Sequence, residues 1–330
     1  MPSRYAEAHA SPNGPDDARP SALQIIKDEG LENKLTSKVA LITGCSSGIG
    51  IDTARALSAT GAKVYCCVRN PAKGSAALAD ILSPGRVELL TLDLNSLASV
   101  RACAKDFLSK SQKLNILINN AGIMATPALE HTADGFEGQF GTNHLAHFLL
   151  FQLLKPTLLA SSTADFNSRV VALSSMGHRS AGIQFGNYNF ENGGYSPWTA
   201  YGQSKTANIY LANEIDRRYG SKGLHALSVH PGGIMTGLQI HMPKETLERF
   251  GKDETIRRSL KSTAQGAATS VWAAVGREWE GKGGRYLEDC QEAGMHQGGA
   301  EGYAKWAYDE EGEKRLWADS CRMVGVEDDV

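Results

Sequence analysis

Tyr201 and Lys205 stand four residues apart in "YGQSK", a spacing that puts both side chains on one face of a helix. Such a pair can move a proton. A free phenol has a pKa of about 10, too high to act as a base near neutrality. A neighbouring ammonium favours the phenolate and lowers that value. Hydride transfer between a carbinol carbon and a nicotinamide ring needs this help, because the oxygen gains or loses a proton as the hydride moves. Taken alone, a Tyr-x-x-x-Lys pair is ordinarily a solvated or half-buried helix face. The reading therefore requires a dinucleotide site nearby.

The stretch "TGCSSGIG", Thr43 to Gly50, offers one. The apolar run Val39-Ala40-Leu41-Ile42 before it reads as a short buried strand, and Ile51 to Leu57 continue with helical spacing. Gly44, Gly48 and Gly50 thus sit on a strand-to-helix turn, where glycine allows positive φ and close approach of a ligand. Free amides and the dipole at the helix start suit a phosphate. A lone glycine cluster is weak support, and the spacing T-G-x-x-x-G-x-G is not the common G-x-G-x-x-G fingerprint.

These residues need a scaffold. The 330-residue chain is 42% hydrophobic, enough for one large α/β domain. Apolar strands are expected at 38–43, 62–68, 86–92, 115–118, 168–174, 223–230 and 285–288, with helical patterns between them. That alternation implies a doubly wound parallel sheet with helices on both faces, an α/β fold. The domain is expected over 38–290. Residues 1–37 form an N-terminal arm, disordered or loosely draped as far as about residue 21 because of Pro2, Pro12, Pro15 and Pro20. Leu23, Ile25, Ile26, Leu31 and Leu35 suggest a short helix docking on the core. Residues 291–330 read as a helical tail near the substrate site. Residues 176–200 read as one long loop, and loops of that length are usually functional. It is expected to be a partly mobile lid, with Phe185, Tyr188, Tyr195 and Trp198 covering an apolar ligand and Pro197 setting its re-entry into a helix.

Composition removes several classes. A net charge of −2 without a basic block argues against nucleic acid as partner. No run reaches the ~18 apolar residues of a membrane helix, and the N-terminus lacks the apolar stretch of a signal peptide. Six cysteines, two adjacent, form neither a disulfide framework nor a zinc spacing. Reduced thiols and a cytoplasmic location are expected, with no membrane anchor and with a homo-oligomer left open. His144 and His147 have helical spacing but no third ligand, so no metal is expected.

The order of motifs resembles the short-chain dehydrogenase/reductase family. "LDLNS" holds its acidic residue Asp93 followed by Leu94, and "INNAG" its Asn120-Ala121-Gly122. "TNHLAHF" carries its helix asparagine, Asn143, "VALSS" its serine, Ser175, and "YGQSK" its Tyr201 and Lys205. "HPGGIMT" is its P-G turn, with Pro231, Gly232, Ile234 and Thr236. "NHLAHFLL", "YSPWTAYGQSKTAN" and "GKGGRYLEDC" are most similar to the branch of retinol dehydrogenases and WW-domain oxidoreductases, here without WW domain or anchor, and the chain looks closer to stand-alone members of microbial natural-product pathways. The resemblance implies a Rossmann-like fold. It also implies cofactor contacts from Gly44, Ser46, Ser47, Gly48, Ile49, Gly50, Asp93, Leu94, Asn120, Ala121, Gly122, Tyr201, Lys205, Pro231, Gly232, Ile234 and Thr236. Ser175 would hold the substrate oxygen beside Tyr201. Asn143 would hold a water linking Lys205 to solvent. Tyr195 and Trp198 would touch the substrate.

The second strand ends "VYCCVRN". Val68 stands where NAD-specific relatives usually place an aspartate for the ribose 2′-hydroxyl, and Arg69 follows, whose guanidinium matches a phosphate. NADP(H) is therefore the expected cofactor. Leu238, Ile240, Met242, Phe250 and Met295 suggest an apolar pocket, hence a bulky lipophilic alcohol or ketone such as a terpenoid, polyketide, steroid or retinoid-like molecule. Two other readings remain: an NADP(H)-binding regulator on the same fold, which would commonly lose the tyrosine or lysine, and an interaction scaffold using the arm.

Overall fold

The computed structural model describes residues 3–328. Residues 1 and 2 of the arm and 329 and 330 of the tail lie outside them. Helices α1 (Ala6–Ala10) and α2 (Ala22–Asp28) precede β1 (Val39–Thr43). Then follow α3 (Ile49–Ala59), β2 (Lys63–Val68), α4 (Pro71–Ala77), β3 (Val87–Thr91), α5 (Leu97–Lys110) and β4 (Ile116–Asn119). A short α6 (Gly138–Phe140) runs through a π-turn at Gly141–Leu145 into α7 (Ala146–Ser161). β5 (Ser168–Leu173), α8 (Pro197–Tyr219) and β6 (Leu224–His230) come next. The chain ends with α9 (Lys244–Lys252), α10 (Glu254–Ser259), α11 (Thr263–Gly266), α12 (Ala268–Val275), β7 (Arg285–Glu288), β8 (Gln291–Glu292) and α13 (Glu310–Val324).

The strands form one sheet in the order β3-β2-β1-β4-β5-β6-β7-β8. All neighbours are parallel except β7 and β8. Strand order reverses at β1 and β4, and ligands of open α/β sheets bind beyond the strand ends at such a point. Period-two alternation splits the core. Leu41 and Tyr65 point to the face covered by α5, α7 and α8, together with Phe107, Phe148 and Ile215. Ala40, Ile42, Val64 and Cys66 point to the opposite face, under α2, α3 and α12, with Ile25, Leu57 and Trp272. The seven expected strands lie within a residue of the observed ones. β8 was not expected, because two polar residues carry no pattern.

The arm is not loosely draped. Arg19, 5% exposed, donates to the carbonyls of Gly14, Ser259 and Leu260 and pairs with Asp17. Gly14 N–H donates to the Arg258 carbonyl, and Gln265 binds Asp17 and the Arg19 carbonyl. A buried guanidinium satisfied by carbonyls replaces the apolar contacts that composition-based reasoning looks for. The tail divides in two. Residues 296–306 reach the chain just after β5, whereas α13 seals the outer side of α7 and α8, with Trp317 edge-on to Phe148 at 5.1 Å.

All six cysteines are buried, and none is in a disulfide. Among the described residues no helix is long and apolar enough to cross a membrane.

Candidate active site

Parallel strands carry their C-terminal ends to one edge, so the turns after β1, β4, β5 and β6 converge there. Gly44 has φ +78°, and a side chain on it would come within 2.9 Å of Ala121. A Cβ on Gly50 would lie 2.3 Å from the Gly44 carbonyl oxygen. The glycines therefore bring the turn after β1 against "NNAG" as well as opening it outward. Thr43 Oγ1 accepts from Asn120 N and Ala121 N at 2.9 and 3.0 Å, and Asn120 Nδ2 donates to the Thr43 carbonyl at 2.7 Å. Gly48, φ +63°, ends the turn, and a Cβ there would sit 3.4 Å from the Thr236 methyl. Thr236 thus faces the glycine turn from the loop after β6.

That loop is held from below. The Lys261 ammonium, 3% exposed, donates to the Pro231 carbonyl at 3.3 Å and pairs with Asp289 at 2.5 Å. Its stem lies where a Cβ on Gly232, φ +102°, would be. His9 of α1 meets the same carboxylate at 3.4 Å. Ile234 is buried against Gly266.

The cradle fits a dinucleotide. It offers the first amides of α3 behind a glycine turn, a buried Asn120 Oδ1 that has no partner, and Ser46 and Ser47 at its rim, half-buried and exposed. Arg69 is exposed directly after β2, whose Cys67 carbonyl accepts from Gly44 N and Cys45 N. No carboxylate pairs with Arg69 among the described residues. Asp93 is half-buried and accepts from Asn95 N, while Ser96, not Asp93, caps α5. Leu94 points into the core, and Ile49 packs on the α3 side of the sheet.

Ser175, Tyr201 and Lys205 come together across 30 residues of sequence. Ser196 caps α8 and Pro197 occupies its first turn, which sets the phase that presents Tyr201 and Lys205. The Tyr201 ring and Ser175 Oγ lie side by side against Gly177, and the Lys205 ammonium lies 5.6 Å from the Tyr201 ring centre, donating to the Leu173 carbonyl at 3.0 Å. A Cβ on Gly122 would lie 3.1 Å from Asn143 Oδ1 and 3.4 Å from Lys205 Nζ, which places all three side by side.

Burial works against the expected lowering of Tyr201: it pushes the phenol up to about 12, and the neighbouring Ser175 hydroxyl offsets part of that rise. Burial brings Lys205 down to about 8. The Asn143 side chain is bonded to the protein itself. Its Oδ1 accepts from Ile123 N, and its Nδ2 donates to the Ile123 carbonyl and Ser204 Oγ, all at 2.9 Å. It fastens the π-turn to the segment after β4, and its own carbonyl meets His147 Nδ1 at 3.0 Å. The other imidazole nitrogen meets Thr43 Oγ1 at 2.9 Å.

The substrate side is also rearranged. Phe185 and Tyr188 do not cover the site. Phe185 lies under the Arg315 guanidinium at 4.4 Å, and Tyr188 stacks on Phe140 at 5.3 Å and bonds Asp319, so both serve α13. The Tyr195 hydroxyl donates to the Thr126 carbonyl at 2.7 Å, bracing the wall from behind. Trp198 is half-exposed and edge-on to Tyr201 at 6.0 Å. The apolar wall around Tyr201 is built by Met124, Ala125 and Met242 with Leu238, Leu247 and Phe250. Ile240 and Met295 point to solvent. Met124, Ala125 and Leu247 were missed. The signals were present: Met124 follows the "AGI" turn directly, and Leu247 precedes Phe250 by three on a helix whose other positions are mostly charged.

Fold and motif order together define a nicotinamide-dependent oxidoreductase class, and the comparison is decisive for the family. The short chain dehydrogenase profile matches residues 38–246, and the chain belongs to that family. It is 57% identical over 326 residues to short-chain dehydrogenase/reductase prx1 of Penicillium roqueforti, covering 98% of this chain and 95% of that one. It is 37% identical to mouse (Mus musculus) retinol dehydrogenase 12, covering 89% and 88%. A crystal structure of an uncharacterized protein from Mycobacterium Paratuberculosis superimposes with TM-score 0.67 at 35% identity, covering 88% of this chain and 94% of that one.

Proposed function

We propose that this oxidoreductase interconverts a primary or secondary alcohol and the aldehyde or ketone of a bulky lipophilic molecule, using NADP(H). The observation that carries the reading is the Ser175–Tyr201 hydroxyl pair set at the foot of the Met124, Met242, Leu247 and Phe250 wall. The glycine turn, "NNAG" and Thr236 would hold the pyrophosphate and nicotinamide ribose, and Arg69 the 2′-phosphate. When bound, the cofactor supplies or takes up the hydride and, oxidised, adds positive charge near Tyr201.

In the reducing direction the Ser175 hydroxyl donates to the carbonyl oxygen and fixes it beside Tyr201. As the carbon gains a hydride, the π pair moves onto oxygen, and Tyr201 transfers its phenolic proton there, leaving a phenolate. Lys205, protonated below about pH 8, stabilises that phenolate. Oxidation runs the same steps backwards. Apolar walls leave the reacting oxygen as the polar handle of a lipophilic ligand. Buried cysteines outside any disulfide suit a reducing compartment such as the cytoplasm.

The test is NADPH oxidation against a panel of lipophilic ketones and aldehydes, with Tyr201→Phe alongside. Tyr201→Phe is expected to bind NADPH normally and lose about 10²–10⁴-fold in kcat, the range of general acid–base catalysis. Wild-type single-turnover hydride transfer in that variant would overturn the assignment.

A further inference from the structure

We propose that His178 is a positioning residue for Ser175, and that it makes residues 302–306 part of the active-site support. The inference rests on the role given to Ser175 above. Ser175 leaves β5 with extended backbone and opens a 3-10 turn, Met176–Ser180, before the chain loops back to α8. Within this turn His178 is fully buried. Its Nδ1 lies 2.6 Å from the Ser175 carbonyl oxygen, and its backbone N–H donates to the same oxygen at 3.0 Å. Its Nε2 accepts from Ala304 N–H at 2.9 Å.

These partners leave one protonation state. A carbonyl only accepts, so Nδ1 carries the proton; a backbone N–H only donates, so Nε2 is bare. The ring is thus a neutral strut between Ser175 and Ala304. The strut is braced on every side. The His178 carbonyl accepts from Thr206 Oγ1 and from Trp306 Nε1, both at 3.2 Å. The Tyr286 ring lies 5.0 Å from the imidazole. Next door, Arg179 donates to the carbonyls of Ala300 and Glu301.

The consequence for the site is direct. Gly177 N–H donates to Ser175 Oγ at 3.0 Å, and a Cβ on Gly177 would lie 2.6 Å from the Tyr201 ring. Any tilt of the Ser175–His178 turn therefore moves the serine hydroxyl and presses on the tyrosine. Positioning errors of about 1 Å can cost on the order of 10²-fold in rate. The anchoring residues lie more than fifty positions beyond the stretch that the family profile matches, which ends at residue 246.

Three variants separate positioning from bulk stability. His178→Ala removes the strut and leaves a cavity. Ala304→Pro removes the donor to Nε2 and sets the ring Cδ against the imidazole, so it displaces the strut while keeping φ −68° and ψ 151° at residue 304, which proline accepts. His178→Asn keeps a donor near the Nδ1 position. Steady-state kinetics, NADPH binding by fluorescence and thermal melts are measured on all three and on Ser175→Ala. His178→Ala should lose about 10²-fold in kcat and Ala304→Pro roughly 10-fold, with KM and NADPH affinity held within about twofold. His178→Asn should recover most of the His178→Ala loss. If Ser175→Ala is inactive while His178→Ala and Ala304→Pro keep wild-type kcat, the inference fails and the serine's role stands. If Ser175→Ala turns over like wild type, both fall.

Discussion

At the scale of single residues, charge and burial set what each group can do. Tyr201 and Lys205 have both been moved toward neutrality by burial, the phenol up and the ammonium down. A site tuned this way depends on added positive charge to release the phenolic proton, which an oxidised nicotinamide would supply when bound. On the function proposed above, Arg69 would carry the cofactor preference. A charge-assisted hydrogen bond is worth about 1.5–3 kcal/mol, so Arg69→Ala should weaken NADPH binding about 10- to 100-fold and leave NADH nearly unchanged. Titrating both cofactors checks this. Equal affinity of the native protein for NADH and NADPH would show that the 2′-phosphate is not recognised here.

At the scale of elements, α9 contributes Leu247 and Phe250 to the apolar wall beside Tyr201, while 176–200, the expected lid, is pinned to the fold. That loop is fastened by Tyr188 to Asp319, Asn189 to Glu137 N–H, Gln184 to Gln203 and Tyr195 to Thr126. By contrast α9 has no buried residue, and nine residues are too few for a helix to persist alone. It is held to the wall through Leu247 and Phe250. Partial loss of an aromatic contact costs about 1–2 kcal/mol, so Phe250→Ala should raise KM for a lipophilic substrate about 5- to 30-fold while NADPH affinity stays constant. Trp198→Ala should shift KM in the same direction. Hydrogen exchange should show substrate protecting 244–260 more than 181–195; protection confined to 181–195 would return the cover to the loop.

At the scale of the whole molecule, buried histidines tie stability to pH. Burial lowers His144 and His230 to about 3 and His147 and His178 to about 4. Unfolded, each takes up a proton near pH 6.5. Between that value and about 4 the unfolded chain binds more protons, so stability rises with pH and falls on acidification. Glu288, raised to about 7 by burial, works against one of the four. The net loss should be about 1.4 kcal/mol per pH unit for each unmatched histidine. Urea midpoints at pH 7.0 and 5.5 measure it, and a midpoint that holds or rises at the lower pH contradicts the reading.

Much of this was legible in the sequence because it depends on local order. Apolar runs and glycine punctuation located seven strands and the parallel class, since strand burial and turn conformation act over a few residues. Helical spacing put Tyr201 and Lys205 on one face, and motif order gave the family. Contacts between distant segments were not legible. The arm's proline content suggested disorder, yet Arg19 finds its carbonyl partners some 240 residues away. Phe185 and Tyr188 have the composition of a ligand cover, but α13 claims them. The pKa of Tyr201 follows from how deeply the fold buries it, and the seat of Ser175 from an N–H at Ala304. Sequence determines which groups are available and their local conformation. Tertiary structure alone decides which distant groups meet, because desolvation and hydrogen-bond pairing depend on neighbours in space.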